Sequence, residues 1–208
     1  MDAVTKVWVG YMRGKRTDAV AAAMVAQVAE RLIDPTAPLY TSDEHPAYLK
    51  ALQTVAATEN KGEDDAILYA VVNKTRKQGR VIEIKTEVAL GTDAEVATRV
   101  TESPASFHIN TSFVERFNLS ARQENRRGQR KTLGFSKEGE MLDAQLHFFQ
   151  ACYNFVRPHI GLRLEAPSPT SKRRWIERTP AMVVGLTDTI WSLGRLLGHW
   201  PVRRAAPS

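Results

Sequence analysis

The hydrophobic pattern changes period several times along the chain, and each change predicts an element. Thr5–Met12 is dominated by β-branched and aromatic residues, which predicts a strand, with Gly10 marking a bend or bulge. From Thr17 the period becomes helical, with Val20, Met24, Val28 and Leu32 on one stripe, Thr17 placed as N-cap and Pro35 just beyond the end. Pro38–Thr41 predicts a short strand. Ser42-Asp43-Glu44-His45-Pro46 then leads into a helix over Ala47–Ala56, Pro46 suiting a first turn where its missing N–H costs nothing. Asn60–Asp65 reads as a polar loop, Ala66–Asn73 as an apolar strand, and the alternation of Val81, Ile82, Ile84 and Val88 with charges over Arg80–Leu90 as one or two exposed strands. Gly91–His108 carries no pattern that assigns it. Helices are predicted over Ser112–Arg127 and Lys137–Val156. The second has Leu142, Leu146, Phe149, Tyr153 and Val156 on a core-facing stripe. Ala166–Ser171 reads as a linker, after which Thr179-Pro180 and Thr187-Asp188 each open a short capped helix. Strand, helix, strand, helix, strand, then long helices is an α/β order, a mixed sheet flanked by helices.

Composition narrows the class. The 208 residues suffice for one domain with a sizeable core and an appendage. No run approaches the ~20 apolar residues of a membrane span, and the N-terminus lacks the charged-then-apolar order of a signal peptide. A lone cysteine, Cys152, excludes an internal disulfide framework and a Cys-rich zinc site, which points to a reducing compartment and the cytoplasm. The net charge is +6, and Glu115–Lys137, with seven basic and two acidic residues, carries +5 of it. Such concentration suggests a polyanion partner, although a solvated basic helix face has the same composition. Lys172-Arg173-Arg174 is a second, weaker cluster.

Two carboxylates stand out. At 100° per residue, Glu115, Arg122 and Arg126 fall within about 20° of one line, with Asn118 and Leu119 beside it. Phe113, Val114, Phe117 and Ala121 take the opposite side. A helix that buries an aromatic face and presents a carboxylate beside arginines suits a metal ligand next to a phosphate backbone. Ser112-x-x-Glu115 also fits a capping box, in which the glutamate serves the helix N-terminus. Asp43 follows a short strand and precedes a helix, where open α/β sheets place functional side chains; the alternative is a turn or N-cap aspartate.

Three blocks closely resemble the end of transposases of the insertion-sequence-one family: Phe113-Val114-Glu115-Arg116-x-Asn118-Leu119-x-x-Arg122-Gln123, Lys131-Thr132-Leu133-x-Phe135-Ser136-Lys137, and Tyr153-Asn154-Phe155-x-Arg157-Pro158-His159. Thr41-Ser42-Asp43-Glu44-His45-Pro46-Ala47-Tyr48 resembles that family's Thr-Asp-Gly-x-x-x-Tyr segment, and Thr179–Gly185 a motif near some relatives' C-termini. The resemblance implies a ribonuclease-H-like domain over residues 1–163, with a linker and a small C-terminal helical appendage over 164–208. It implies a DDE site, two aspartates and a glutamate binding two Mg²⁺ or Mn²⁺ ions, with Asp43 as second aspartate and Glu115 as terminal glutamate. It implies DNA cleavage and strand transfer at element ends and target, DNA held by Arg116, Asn118, Arg122, Arg126, Arg127, Arg130, Lys131, Arg157 and His159, and a nucleoid-associated homo-oligomer or a complex with intact transposase.

The departure is at the front. The family's first aspartate, on the strand that opens the sheet, has no counterpart, and Asp2-Ala3-x-Thr5-Lys6 resembles a later turn, so Asp2 reads as a turn residue. The resemblance then implies a shortened catalytic domain with impaired activity, or a non-catalytic DNA-binding remnant that regulates an intact transposase. His159 is also a candidate helix-terminating residue. Cys152 reads as core, and Trp8, Trp175, Trp191 and Trp200 as core or appendage packing.

Overall fold

The apolar run that begins at Ile67 becomes the central strand of a three-stranded sheet. The computed structural model describes residues 1–59, 67–125, 127, 134, 136–170 and 173–199. The expected loop at Asn60–Asp65 and Trp200 lie outside them. The described residues divide into two compact units, one built from Val9–Leu119 and the other from Ser120 onward with Val4–Trp8. None of their helices is long and apolar enough to cross a membrane.

In the first unit, α1 (Asp18–Ala29) starts where Thr17 accepts the Val20 amide, as expected of an N-cap. Its buried residues are Ala21 and Val25, one position on from the predicted stripe. β1 (Leu39–Asp43) pairs in parallel with β2 (Leu68–Lys77), Leu39 opposite Leu68 and Asp43 opposite Val72. α2 (Ala47–Glu59) joins them. β2 turns through Gln78 and Gly79, at φ 51° and 78°, into antiparallel β3 (Arg80–Leu90). Two left-handed residues match the twist of a tight hairpin, and glycine takes that conformation without a Cβ clash.

Side chains alternate along a strand and opposed residues share a face. Tyr40, Tyr69 and Val71 therefore point to one side, and Asp43, Val72 and Lys74 to the other. On the first side, Ile67 and Tyr69 pack with Val25 of α1 and Ala51 and Leu52 of α2 to form the core. Each such buried aliphatic side chain stabilises by about 1.5–3 kcal/mol. Against β1 and β2 lies α3 (Asp93–Glu102), which occupies the segment that sequence pattern left unassigned. Its one buried side chain, Val96, makes no visible stripe, but Thr92 and Glu95 form a full capping box that marks its start. α4 (Ser112–Glu124) buries Phe117 as predicted, leaves Phe113 and Ala121 half-buried, and exposes Val114.

The predicted strand at Thr5–Met12 is not one: among the described residues no ladder involves this segment. Strand propensity here met no neighbouring strand, and helix side chains take the backbone groups instead. Asn154 accepts the Trp8 amide at 2.9 Å and, with Gln150, donates to the Trp8 carbonyl. Gln27 accepts the Tyr11 amide, and Arg31 donates to the Val9 carbonyl. A Cβ on Gly10 would sit 2.5 Å from Gln27 Oε1, so the glycine admits this side chain to the backbone. Asp2 is a turn residue as expected, accepting from the Val4 and Thr5 amides.

In the second unit, α5 (Gly139–Ala151) continues into a π-helical turn, Cys152–Val156. Phe149 and Tyr153 are buried, with the Trp8 ring edge-on to Phe149 at 5.6 Å. Cys152 is half-buried, and desolvation raises its thiol pKa. The expected linker at Ala166–Ser171 is instead mostly strand. β4 (Leu164–Thr170) pairs antiparallel with β5 (Arg173–Ile176), and the prolines sit in its irregular stretch between Glu165 and Thr170, where no ladder donor is required. The Trp175 ring lies 4.2 Å from the Arg163 guanidinium. Thr179 caps α6 (Pro180–Val183) as predicted. The helix expected at Thr187 starts later, as α7 (Leu193–Gly198) capped by Ser192. The Thr187 hydroxyl is engaged by the Thr189 amide and the Trp191 indole.

Candidate active site

Asp43 ends β1 on the face that also carries Val72 and Lys74, by strand register alone. Glu115, in the first turn of α4, reaches the same place. A cleft of about 350 Å³ is lined by Arg16, Asp43, Glu44, Val72, Lys74, Thr111 and Glu115, all within the first unit. Two carboxylates separated by most of the unit's sequence thus share one opening, at the end of β1.

Each carboxylate meets a basic side chain there. Arg16 Nη2 lies 3.1 Å from Asp43 Oδ2, a mostly exposed pair of small energetic weight. The Glu115 pair is more constrained. Lys74 Nζ donates to the Glu115 carboxylate and to the Thr111 hydroxyl at 2.9 Å, and that hydroxyl donates to Glu115 Oε1 at 2.8 Å. The Lys74 side chain is only 20% exposed and Thr111 is buried, so this triangle holds the carboxylate in place. Glu115 thus accepts from Lys74 of β2 and from Thr111, the residue that precedes α4. Behind Asp43, the Ser42 hydroxyl meets its carbonyl and the Tyr69 hydroxyl, whose pKa burial raises.

Arg16, Lys74 and Thr111 are the participants that sequence reasoning passed over. Alternation down Ala66–Asn73 stops one residue short of Lys74, and the only further signal was a charge at the end of an apolar strand. Thr111 lies two residues before the motif that begins at Phe113.

The oxygen donors suit a hard divalent cation: carboxylates of Asp43, Glu44 and Glu115 and the hydroxyl of Thr111. Among the described residues, however, no three acidic, histidine or cysteine side chains are grouped so as to hold a metal ion. Asp43 is paired with Arg16 and Glu115 with Lys74, so a cation binding here would have to displace these basic groups. Opening the same pairs frees a guanidinium and an ammonium for phosphate.

The remaining predicted residues are distributed more widely. Arg116 and Asn118 are exposed on α4, Arg122 is exposed in its last turn, and Arg127 is half-buried near the Ser136 hydroxyl. Arg126, Arg130 and Lys131 lie outside the described residues. Arg157 pairs with Glu124. His159 Nδ1 accepts the Gly161 amide at 3.1 Å, capping a 3₁₀ turn at Ile160–Leu162. Burial first, then Lys6 and Arg157, lowers the His159 pKa from its ordinary 6.5. The unfolded chain then binds the proton more readily, so stability contributed by neutral His159 is present above about pH 6.5 and is lost as pH falls toward the folded value. Urea midpoints measured between about pH 7 and 5 should show this decline, and His159→Gln should flatten that part of it.

Compared with known proteins, the chain matches no family model, no curated protein and no solved structure.

Proposed function

We propose that this chain is an insertion-sequence transposase domain directed at DNA phosphodiesters, with Asp43 and Glu115 as two of the three carboxylates of a DDE site on a ribonuclease-H-like sheet and activity impaired for want of a counterpart to the first aspartate. The observation that carries the reading is the shared cleft: the two acids singled out by the motifs, Asp43 at the end of β1 and Glu115 in the first turn of α4, line one opening. A parallel β1–β2 pair with helices on its core face also accords with that fold. When bound, Mg²⁺ or Mn²⁺ would activate a nucleophilic oxygen and stabilise the leaving one. The chain's own groups orient the carboxylates: Lys74 and Thr111 fix Glu115, and Arg16 meets Asp43. Exposed Arg116, Asn118 and Arg122 are the proposed phosphate contacts, with Arg126, Arg127, Arg130 and Lys131 completing the basic run.

A second reading is favoured by the ion pairs themselves. Carboxylates already neutralised by Arg16 and Lys74 suit a non-catalytic DNA-binding protein that regulates an intact transposase. Incubating the full chain with labelled element ends in Mn²⁺ or Mg²⁺ separates the two. Cleavage or joining supports the enzyme, and binding without either supports the regulator.

Both readings require cations on the DNA backbone. Replacing Arg122 and Arg127 by alanine should lower the slope of log affinity against log salt by about 0.9 for each duplex phosphate that is no longer neutralised. An unchanged slope, measured by fluorescence anisotropy, would assign these arginines to a solvated face.

A further inference from the structure

β3 is an edge strand: among the described residues it pairs with β2 and with nothing on its outer side. Every residue from Arg80 to Glu87 is exposed, and Val81, Ile82 and Ile84 are 41%, 60% and 60% accessible. Ile82 has no counterpart on β2, because the ladder steps from Thr75–Glu83 to Arg76–Val81. An outward row of peptide groups beside three exposed aliphatic side chains is a template for another strand.

The order of charges selects the partner. We propose that β3 pairs antiparallel with β3 of a second copy, about a twofold axis through Ile84. In this register Ile84 meets Ile84 of the other copy, and Glu83 of each copy meets Lys85 of the other, twice by symmetry. Val81 and Ile82 fall opposite Glu87 and Thr86. The Glu83–Lys85 ion pair at 3.3 Å within one strand is exchanged for two cross-strand pairs. Moving the axis by one residue sets Glu83 against Glu83 or Lys85 against Lys85, and like charges directly opposed are unfavourable. The sequence of this edge is thus complementary to itself in one register.

The pairing has a consequence for the cleft. An axis perpendicular to the joined sheet keeps the same face of both copies on the same side. Lys74 is the β2 partner of Ile84, so the two Lys74 backbones stand three strand spacings, about 14 Å, apart. Two clefts would then face one side, where a single duplex can reach both. This consequence rests on the DNA reading above; the pairing itself does not.

Sedimentation velocity on the full chain, without DNA or metal, tests the pairing. The wild-type chain should form dimers. Glu83→Lys should weaken them about tenfold or more, because it sets lysines against each other at two places. Glu83→Lys combined with Lys85→Glu reverses both pairs and should restore dimers, while Ile84→Lys should give monomers. Circular dichroism matching wild type will show that each variant is folded, as expected for exposed positions. A monomeric wild-type chain, an unaffected single reversal, or no recovery in the double variant would overturn the proposal. Because the assay contains no DNA, its failure leaves the cleft reading standing, and failure of the cleavage assay leaves the dimer standing.

Discussion

Glu115→Gln in the full chain is expected to lower divalent-dependent DNA cleavage and joining by about a thousandfold or more. Glutamine keeps the length of the side chain and an acceptor for the Thr111 hydroxyl, but removes the charge that Lys74 holds. Transition-state charge stabilisation in metal-assisted phosphoryl transfer amounts to several kcal/mol, and each ~1.36 kcal/mol is tenfold in rate. Asp43→Asn should act in the same direction, since its carboxylate lines the same cleft. DNA affinity should not fall in either, because each variant removes an anion and leaves Lys74 or Arg16 available to phosphate. The measurement is strand transfer of labelled ends in Mn²⁺ alongside anisotropy on the same DNA. Activity that survives Glu115→Gln would withdraw the glutamate from the catalytic role. A wild-type chain that binds and never cuts would leave only the regulatory reading.

Asn154→Leu should destabilise the fold by about 2 kcal/mol, the scale of a buried donor deprived of its acceptor. The Asn154 amide bonds both the N–H and the carbonyl of Trp8, as a neighbouring strand would. Leucine keeps the branched outline of the side chain and raises helix propensity but removes the acceptor of the Trp8 amide, while Gln150 still serves the carbonyl. Trp8 is 5% exposed and edge-on to Phe149, so water does not easily replace the missing acceptor. Thermal melts should fall by several degrees. Asn118→Leu, at an exposed position on α4, should change the midpoint little. Equal midpoints for the two variants would show that Asn154 does not anchor the Trp8 segment.

The motif containing Asn154 shows how far local patterns reach. Tyr153, Asn154, Arg157 and His159 read together as one block, with Arg157 and His159 cast as DNA contacts. In the fold Tyr153 is buried, Asn154 holds Trp8, Arg157 pairs with Glu124 and His159 caps a turn. The partners of Asn154 and Arg157 are distant in sequence, so no window of neighbouring residues could name them. The local signals fared differently. Thr17 and Thr179 cap the helices they were expected to cap, because a cap involves only the next three residues. Thr92 and Glu95 were an equally local signal, overlooked because α3 buries only Val96 and shows no stripe.

Sequence alone determined the mixed α/β class, the alternation that makes β3 an exposed strand over Arg80–Leu90, the two carboxylates worth following, and the concentration of positive charge. Each of these depends on periodicity, composition or neighbours a few residues apart. Tertiary structure alone decided that Thr5–Met12 is not a strand, since a strand is defined by its neighbour and helix side chains took that place. It decided that the segment before Arg173 pairs as β4 in spite of its prolines. It also decided the electrostatics of the cleft. Asp43 faces Arg16 across 27 residues, and Glu115 faces Lys74 across 41, so the register of β1 on β2 and the approach of α4 set which charge meets which.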